Sequence, residues 1–572
     1  NPLVNPRRAL IRRNWILTRM LDLGSIHPEQ NDLAIKAPIS ATYHGLVSEV
    51  EASYFSEIIR RYMISEYGLD AYKEGLEVYT TIDSKLQNLA VSALKEGLEK
   101  YDKRHGFRSP ENYKDLFPED FFSQDITYRL GLIAESKSLP VGISEVPEEE
   151  PLDKIYNLLN NLTTTDNKFP VLVLSVEDDL VAISGDRTVI QLAWTSNLGW
   201  ARPYINEDQR GPRPKSYSEL LQEGDLVWLE QDKIKSSLSL TQIPEVQGSI
   251  VAMDPNNGEV KALVGGYDFF LSKYNRATQS SPLLGSNYKP FLYASALDAG
   301  LTASSLINDA PIVFEDEALE DKWRPRNASG RFYGPTRLRE ALLQSVNLVS
   351  IRLLREIGIE RVRDYSQNFG FQLEELNSDL SLALGTASLS PIKNVAAYSV
   401  FANGGKSVEP YFISKITDRT GNTIFQKEDI EINQAIDPRI AFIIKDILQE
   451  AASRGTAKKV KELGRGDLAG KTGTTNEAES TWFTGFNESL VTTVWVGFDQ
   501  PKSLGNREFG SSTALPIWMD FMQPNIDNLP KNKNLPPEGI VSIKIDKKTG
   551  LKAESDSRNS IFEYYLEEHL PR

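Results

Sequence analysis

Three short stretches of this sequence hold side chains able to carry nucleophilic chemistry. The first is Ser286-Asn287-Tyr288-Lys289, preceded by Gly285 and followed by the apolar residues Phe291, Leu292, Ala294, Ala296 and Leu297. Spaced three apart on a helix, Ser286 and Lys289 share a face and can hydrogen-bond. A serine at a helix N-terminus also has backbone N–H groups directed at any developing oxyanion. Its hydroxyl needs a base, and a lysine whose ammonium is destabilised by burial or by a second cation meets that need. The second stretch, Ser345-Val346-Asn347, has polar side chains two apart. A loop or irregular turn presents both to a cleft better than a regular helix does. The third, Lys471-Thr472-Gly473-Thr474-Thr475, follows Ala469-Gly470. On a strand, alternation puts Thr472 and Thr474 on one face, where two hydroxyls beside a lysine make a carboxylate-binding edge. Gly473 permits close backbone approach.

Each stretch alone is unspecific. The serine–lysine spacing recurs at Ser92–Lys95 and at Ser390–Lys393, where Pro391 argues against an in-helix pair. Ser345 fits a helix-capping serine beside a surface asparagine equally well, and Lys471–Thr475 fits a turn.

Composition narrows the chemistry. There is no cysteine among the 572 residues, and the only histidines are His27, His44, His105 and His569. Disulfides, thiolate zinc sites, iron–sulfur clusters and a cysteine nucleophile are excluded. Between residues 106 and 568 a Ser-His-Asp triad is impossible, so any base there is Asp, Glu, Lys or Tyr. A formal charge of −15 argues against nucleic acid as a partner, because phosphate contacts need a basic footprint. No segment reaches the roughly 18 apolar residues of a membrane span.

Elements that could position these residues are legible in the patterning. Residues 1–24 interleave Arg7, Arg8, Arg12, Arg13 and Arg19 with Leu10, Ile11, Ile16, Leu17, Met20 and Leu21, as on a helix with one buried stripe. Tyr54 to Gly68 is helical, Leu76 to Thr81 is a strand, and Asp83 caps a helix carrying Leu86, Leu89, Ala90, Ala93, Leu94 and Leu98. Beyond Tyr101 the chain turns rich in Pro, Gly and charge, with an acidic linker-like run at Glu145–Pro151. Short strands at Val171–Val176, Leu180–Ile183 and Asp225–Leu229 indicate a small all-β barrel, with Trp194, Trp200, Tyr204 and Trp228 assigned to core packing. Ser249–Met253 and Glu259–Val264 form a hairpin that opens the largest domain, which closes with the β-rich run Leu490–Phe498.

The three stretches together, in this order, are far more specific than any one of them. With them the sequence resembles the class A penicillin-binding proteins, of the 1a type found in Gram-negative bacteria. The resemblance runs almost end to end. It takes in Asn1–Pro6 with Arg12-Arg13-Asn14, Tyr79–Ile82, Arg276–Gln279, Trp323 with Pro325 and Asn327, Leu382–Gly385, Phe401–Gly405, Gly455–Ala457 and Trp482–Gly485.

That likeness implies a multidomain α/β chain. Residues 1–45 would be the C-terminal remnant of a glycosyltransferase domain, 46–100 a linker region and 101–245 an OB-like inserted domain. Residues 246–530 would form a transpeptidase domain with a central antiparallel sheet flanked by helices, and 531–572 a C-terminal tail. The chain is expected to be a fragment whose single-pass anchor and glycosyltransferase glutamates lie upstream, working at the periplasmic face of the inner membrane.

Carried over position by position, the resemblance makes Ser286 the acylated nucleophile and Lys289 its base. Ser345 and Lys471 relay the proton to the leaving amine, and Asn347 holds the substrate amide. Thr472 and Thr474 take the terminal carboxylate, with Gly473 and Thr475 in the same binding edge. The backbone N–H groups of Ser286 and Thr474 form the oxyanion hole. Implied partners are peptidoglycan stem peptides, a lipid-linked precursor, β-lactams as covalent inhibitors and an outer-membrane lipoprotein activator on the inserted domain. No metal or organic cofactor is implied. One departure stands at Leu283-Leu284-Gly285, where the family usually has Gln-Pro-Gly. The rival readings are a serine β-lactamase, for which Leu373 occupies the place of the deacylating glutamate in Leu373-Glu-Glu-Leu-Asn377, and a non-catalytic scaffold.

Overall fold

The computed structural model describes residues 6–38, 41, 48–137, 152–165, 167–177, 179–232, 234–235, 237–312, 324–428, 432–554 and 557–571. Asn1–Asn5, His44, the acidic run Glu145–Pro151 and Trp323 lie outside the described residues, as do the side chains of Arg7 and Arg8. The chain divides into a larger unit, residues 50–102 with 244–572, and a smaller one, residues 1–49 with 103–243.

The helices of the larger unit include α1 (Ser53–Tyr67), α2 (Ser84–His105), α3 (Lys289–Asp298), α4 (Leu338–Leu343), α5 (Asn347–Ile357), α6 (Pro391–Ala402), α7 (Pro438–Arg454) and α8 (Ala514–Met522). Its strands include β1 (Glu77–Thr80), β2 (Gln247–Met253), β3 (Val260–Val264), β4 (Leu306–Asp309), β5 (Gly334–Arg337), β6 (Ala469–Thr474), β7 (Ser480–Phe486), β8 (Val491–Gly497), β9 (Ile540–Asp546) and β10 (Ser560–Leu566). Asp83 caps α2 as expected, accepting from the Leu86 N–H at 2.9 Å. Five strands pair antiparallel in the order β3-β2-β8-β7-β6, which puts the Lys471 strand at an edge.

Both faces of this sheet are covered, which is why β7 and β8 are buried along their whole length. Successive side chains on β7 point to opposite faces. Thr484 meets Asn394 of α6, whereas the Phe483 ring packs edge-on against Trp518 of α8 at 5.1 Å. Lys471 pairs with Thr484 and Thr472 with Phe483, so Lys471 shares the α6 face while Thr472 and Thr474 share the other. The main core fills the α6 side, with Phe291 of α3 among Phe369, Phe371, Tyr398 and Phe401.

The C-terminal hairpin β9–β10 is tied down by a buried ion pair. Arg339 donates twice through Nε and once through Nη2 to Glu563, at 2.5–2.9 Å, and its Nη1 reaches Asp446 at 2.8 Å and Glu450 at 3.0 Å.

In the smaller unit, five antiparallel strands run in the order Val189–Leu192, Leu180–Ser184, Lys168–Ser175, Leu226–Gln231, Leu238–Thr241. Alternation sends Val171 and Val173 to one buried cluster, with Trp194, Trp200 and Tyr217. Leu172 and Leu174 go to a second, with Phe121, Ile155 and Leu159. Trp194 and Trp200 therefore pack as expected, Trp228 is half-buried, and Tyr204 is exposed. Two helices, Ile126–Lys137 and Asp153–Asn161, accompany the strands where an all-β module was expected. Helix Pro6–Asp22 forms, but its stripe is not buried: Ile16 and Met20 are exposed. It packs on the nine-residue helix Pro28–Lys36, too short to cover it.

Replacing Glu563 with Ala leaves Arg339 buried with two outlying carboxylates. The expected cost is about 3 kcal/mol of unfolding free energy, measured by denaturant titration.

Candidate active site

The turn that carries Ser286 is held by close backbone packing. Gly285 has φ +53° and donates its N–H to the Gly385 carbonyl at 2.9 Å. A Cβ on Gly385 would fall 1.7 Å from the Gly285 oxygen, so the Leu382–Gly385 motif is pressed directly onto the turn. Gly285 therefore supplies the backbone conformation even with Leu283-Leu284 before it. Residues Gly285–Tyr288 form one 3₁₀ turn and α3 starts at Lys289, with Pro290 in its first turn where no N–H is missed.

Asn287, between the serine and the lysine, rivets this turn to the sheet. Its Nδ2 donates to the Lys471 carbonyl at 2.9 Å, and its Oδ1 accepts from Asn394 at 3.1 Å and Thr484 at 3.2 Å. Tyr398 donates to the Asn287 carbonyl at 2.6 Å, and Trp482 donates through Nε1 to the Leu283 carbonyl at 2.8 Å. Gly473 faces the same turn: a Cβ there would lie 2.6 Å from the Leu284 oxygen and 2.8 Å from Asn287 Cβ.

Ser345 sits in the irregular turn expected for it, between α4 and α5, with φ +57°. That backbone conformation is costly for a residue with a side chain. It directs both the carbonyl and the hydroxyl of Ser345 at lysines. Lys289 Nζ donates to the Ser345 carbonyl at 2.8 Å, to Asn347 Oδ1 at 2.7 Å and at 3.4 Å to Ser345 Oγ. Lys471 Nζ donates to Ser345 Oγ at 3.0 Å and to the Thr472 carbonyl at 2.8 Å. Neither lysine pairs with a carboxylate among the described residues, and both have no exposed surface.

Burial drives the Lys289 pKa well below the ordinary lysine value, and the neighbouring Lys471 lowers it further. Burial pushes Lys471 down to about 7. Ser286 is half-buried and its hydroxyl makes no hydrogen bond among the described residues, so the serine–lysine contact suggested by the spacing is not formed in this state.

Tertiary context separates this pair from its two look-alikes. Lys95 donates to Glu51 at 2.6 Å and Lys393 to Glu375 at 2.6 Å, so each of those lysines has a carboxylate partner that Lys289 lacks among the described residues. Beyond Lys471, Thr472 donates to Thr456 Oγ1 at 2.9 Å, and Thr474 Oγ1 accepts from the Gly510 N–H at 3.0 Å. Thr475 accepts from the Ser480 N–H at 2.9 Å and thus closes the β6–β7 turn. Sequence reasoning missed Asn394 and Gly510, and quoted Asn287, Asn327 and Thr456 only as parts of motifs; for Asn394, a polar residue in an apolar helical run was the available signal.

Comparison with known proteins agrees with this geometry. Residues 248–523 match the penicillin-binding protein transpeptidase domain, and residues 140–246 match the penicillin-binding protein OB-like domain. Penicillin-binding protein 1A of Pseudomonas aeruginosa is 39% identical over all of this chain and 71% of its own length. That of Escherichia coli is 34% identical over all of this chain and 73% of its own. The crystal structure of penicillin-binding protein 1A from Haemophilus influenzae superposes with a TM-score of 0.80 at 31% identity, covering 100% of this chain and 84% of that one. The structure of Mycobacterium tuberculosis PonA1 in complex with penicillin V shares the fold, with a TM-score of 0.50 at 18% identity over 84% of this chain and 94% of that one.

Adding a methyl at Gly473 must push the Ser286 turn off β6. Gly473→Ala is expected to cost about 1–3 kcal/mol of stability, and to slow covalent labelling by a fluorescent penicillin in a time course.

Proposed function

Because the chain belongs to the penicillin-binding protein 1A family, we propose that its reaction runs through an acyl-enzyme on Ser286. The chain is a serine-type D,D-transpeptidase of peptidoglycan synthesis, and its transpeptidase domain binds β-lactams and peptidoglycan substrates. The observation that carries the residue assignment is the bridge at Ser345, which joins two buried lysines that no carboxylate neutralises among the described residues. Such a pair cannot hold both protons comfortably, which favours the neutral amine that Lys289 needs to act as a base.

In this reading Lys289 exchanges one of its acceptors for the Ser286 hydroxyl and takes its proton. Ser286 Oγ then attacks the D-Ala-D-Ala carbonyl of a stem peptide, the C–N bond breaks, and Ser345 and Lys471 relay the proton that Lys289 took to the departing D-Ala amine. An amine from a neighbouring stem takes the acyl group and returns the Ser286 proton. Asn347 holds the substrate amide, Thr472 and Thr474 receive the terminal carboxylate, and the N–H groups of Ser286 and Thr474 stabilise the oxyanion. Gly473 and Thr475 shape that edge.

A β-lactam presents its strained amide to the same Ser286. A serine β-lactamase is disfavoured because Leu373 stands where a deacylating glutamate is needed. For the whole protein, the family suggests a peptidoglycan glycosyltransferase activity on a lipid-linked precursor, an inner-membrane anchor with the enzyme on its periplasmic face, and a lipoprotein activator on the OB-like domain.

Mass spectrometry after β-lactam exposure tests the reading. A stable adduct on Ser286 that disappears in Ser286→Ala is expected; rapid turnover without adduct indicates a β-lactamase, and no reaction a scaffold. A pH profile of the acylation rate probes the base. The rate rises as Lys289 loses its proton, and Lys471→Met, by removing a neighbouring cation, raises the Lys289 pKa and moves that limb to higher pH.

A further inference from the structure

Asn347 is aligned from outside its own helix. No side chain of the Ser345–Asn347 turn caps α5; Val346 occupies the cap position. Instead Asn327, from a separate loop, accepts at its Oδ1 from the N–H groups of Asn347 at 3.0 Å and Leu348 at 3.2 Å. These are two of the donors that a helix N-terminus leaves without an intrahelical partner. The Asn327 amide is itself clamped, since its Nδ2 donates to both oxygens of Asp309 at 2.8 and 3.0 Å and to the Arg331 carbonyl at 2.8 Å. Asp309 also accepts from the Tyr333 N–H at 2.8 Å. Asp309 and Asn327 are both buried, and a carboxylate behind the amide complements the positive end of α5.

The same loop fixes how the Asn347 side chain is turned. The Arg326 carbonyl accepts from Asn347 Nδ2 at 2.9 Å, while Lys289 donates to Asn347 Oδ1 at 2.7 Å. A carbonyl on one side and an ammonium donor on the other permit one amide orientation only. The second N–H of Nδ2 makes no hydrogen bond among the described residues, and so is left for a substrate carbonyl.

We propose that Asp309 and Asn327 are positioning residues for acylation: the buried pair seats the start of α5 so that Asn347 meets Lys289 and the substrate together. Neither touches substrate or the reacting atoms. The inference rests on the reading of Ser286 as the acylated residue. The groups facing Lys289 are the neutral Ser345 and Asn347 from the α4–α5 turn and α5, and the cation Lys471 from β6.

The test is the second-order rate of acylation by a fluorescent penicillin, recorded against pH beside thermal melting of each variant. Asn327→Ala and Asn327→Asp are each expected to slow acylation by about 10- to 100-fold, as a displaced catalytic group does. Asn327→Asp sets two carboxylates face to face. Combining it with Asp309→Asn restores a donor–acceptor pair that still accepts from α5, and is expected to recover most of the rate.

A purely structural role would lower melting without moving the pH profile. Positioning predicts that the rising limb of Asn327→Ala shifts to lower pH, because Lys289 loses an acceptor that favours its protonated form. Wild-type rates in both single variants, or losses that follow melting alone with the limb unmoved, overturn the proposal. Wild-type protein that is not acylated at Ser286 overturns the underlying reading instead.

Discussion

Two lysine ammonium groups, those of Lys289 and Lys471, are taken out of water in one site, and both reach for Ser345. Burying one unpaired charge is costly, and burying two like charges together is more so. The fold offers them oxygens of serine, asparagine and the backbone, among the described residues, rather than a carboxylate. Burial favours the neutral form of both, and the surrounding geometry serves to hold the two amino groups at Ser345. Ser345 has its left-handed backbone because one residue must present two oxygens to two lysines from different elements.

The supports around this pair are of two kinds. Backbone-to-backbone contact without side chains operates at Gly285, Gly385 and Gly473, which bring the Ser286 turn flush against its neighbours. Buried side-chain amides operate elsewhere: Asn287 and Asn394 knit the turn to β6, β7 and α6, and Asn327 caps α5. An amide can donate and accept in the same place without carrying charge, so it fixes geometry without adding a counter-ion to the lysine pair.

Much of this was legible one element at a time. Helix α1, strand β1, the Asp83 cap and the β2–β3 hairpin follow from local periodicity and stand as expected. The helices at Ile126–Lys137 and Asp153–Asn161 are masked in the sequence by the strand signals around them. Yet Ile126, Leu130 and Ile133 recur at helical spacing. The exposed stripe of Pro6–Asp22 failed for a different reason, because amphipathicity says which face prefers burial and not whether anything covers it.

From its sequence alone, the chemistry of this protein is bounded: histidine and cysteine are absent where the motifs stand, so any base there is Asp, Glu, Lys or Tyr. Order and spacing also suffice to nominate Ser286, Ser345 and Lys471. Tertiary structure alone separates the surroundings of the three serine–lysine pairs. Ser92–Lys95, Ser286–Lys289 and Ser390–Lys393 are alike in sequence, but Glu51 and Glu375 pair with two of those lysines while the core strips water from the third. Lysine acidity is set by the groups that surround the ammonium, and those arrive from residues scores of positions away.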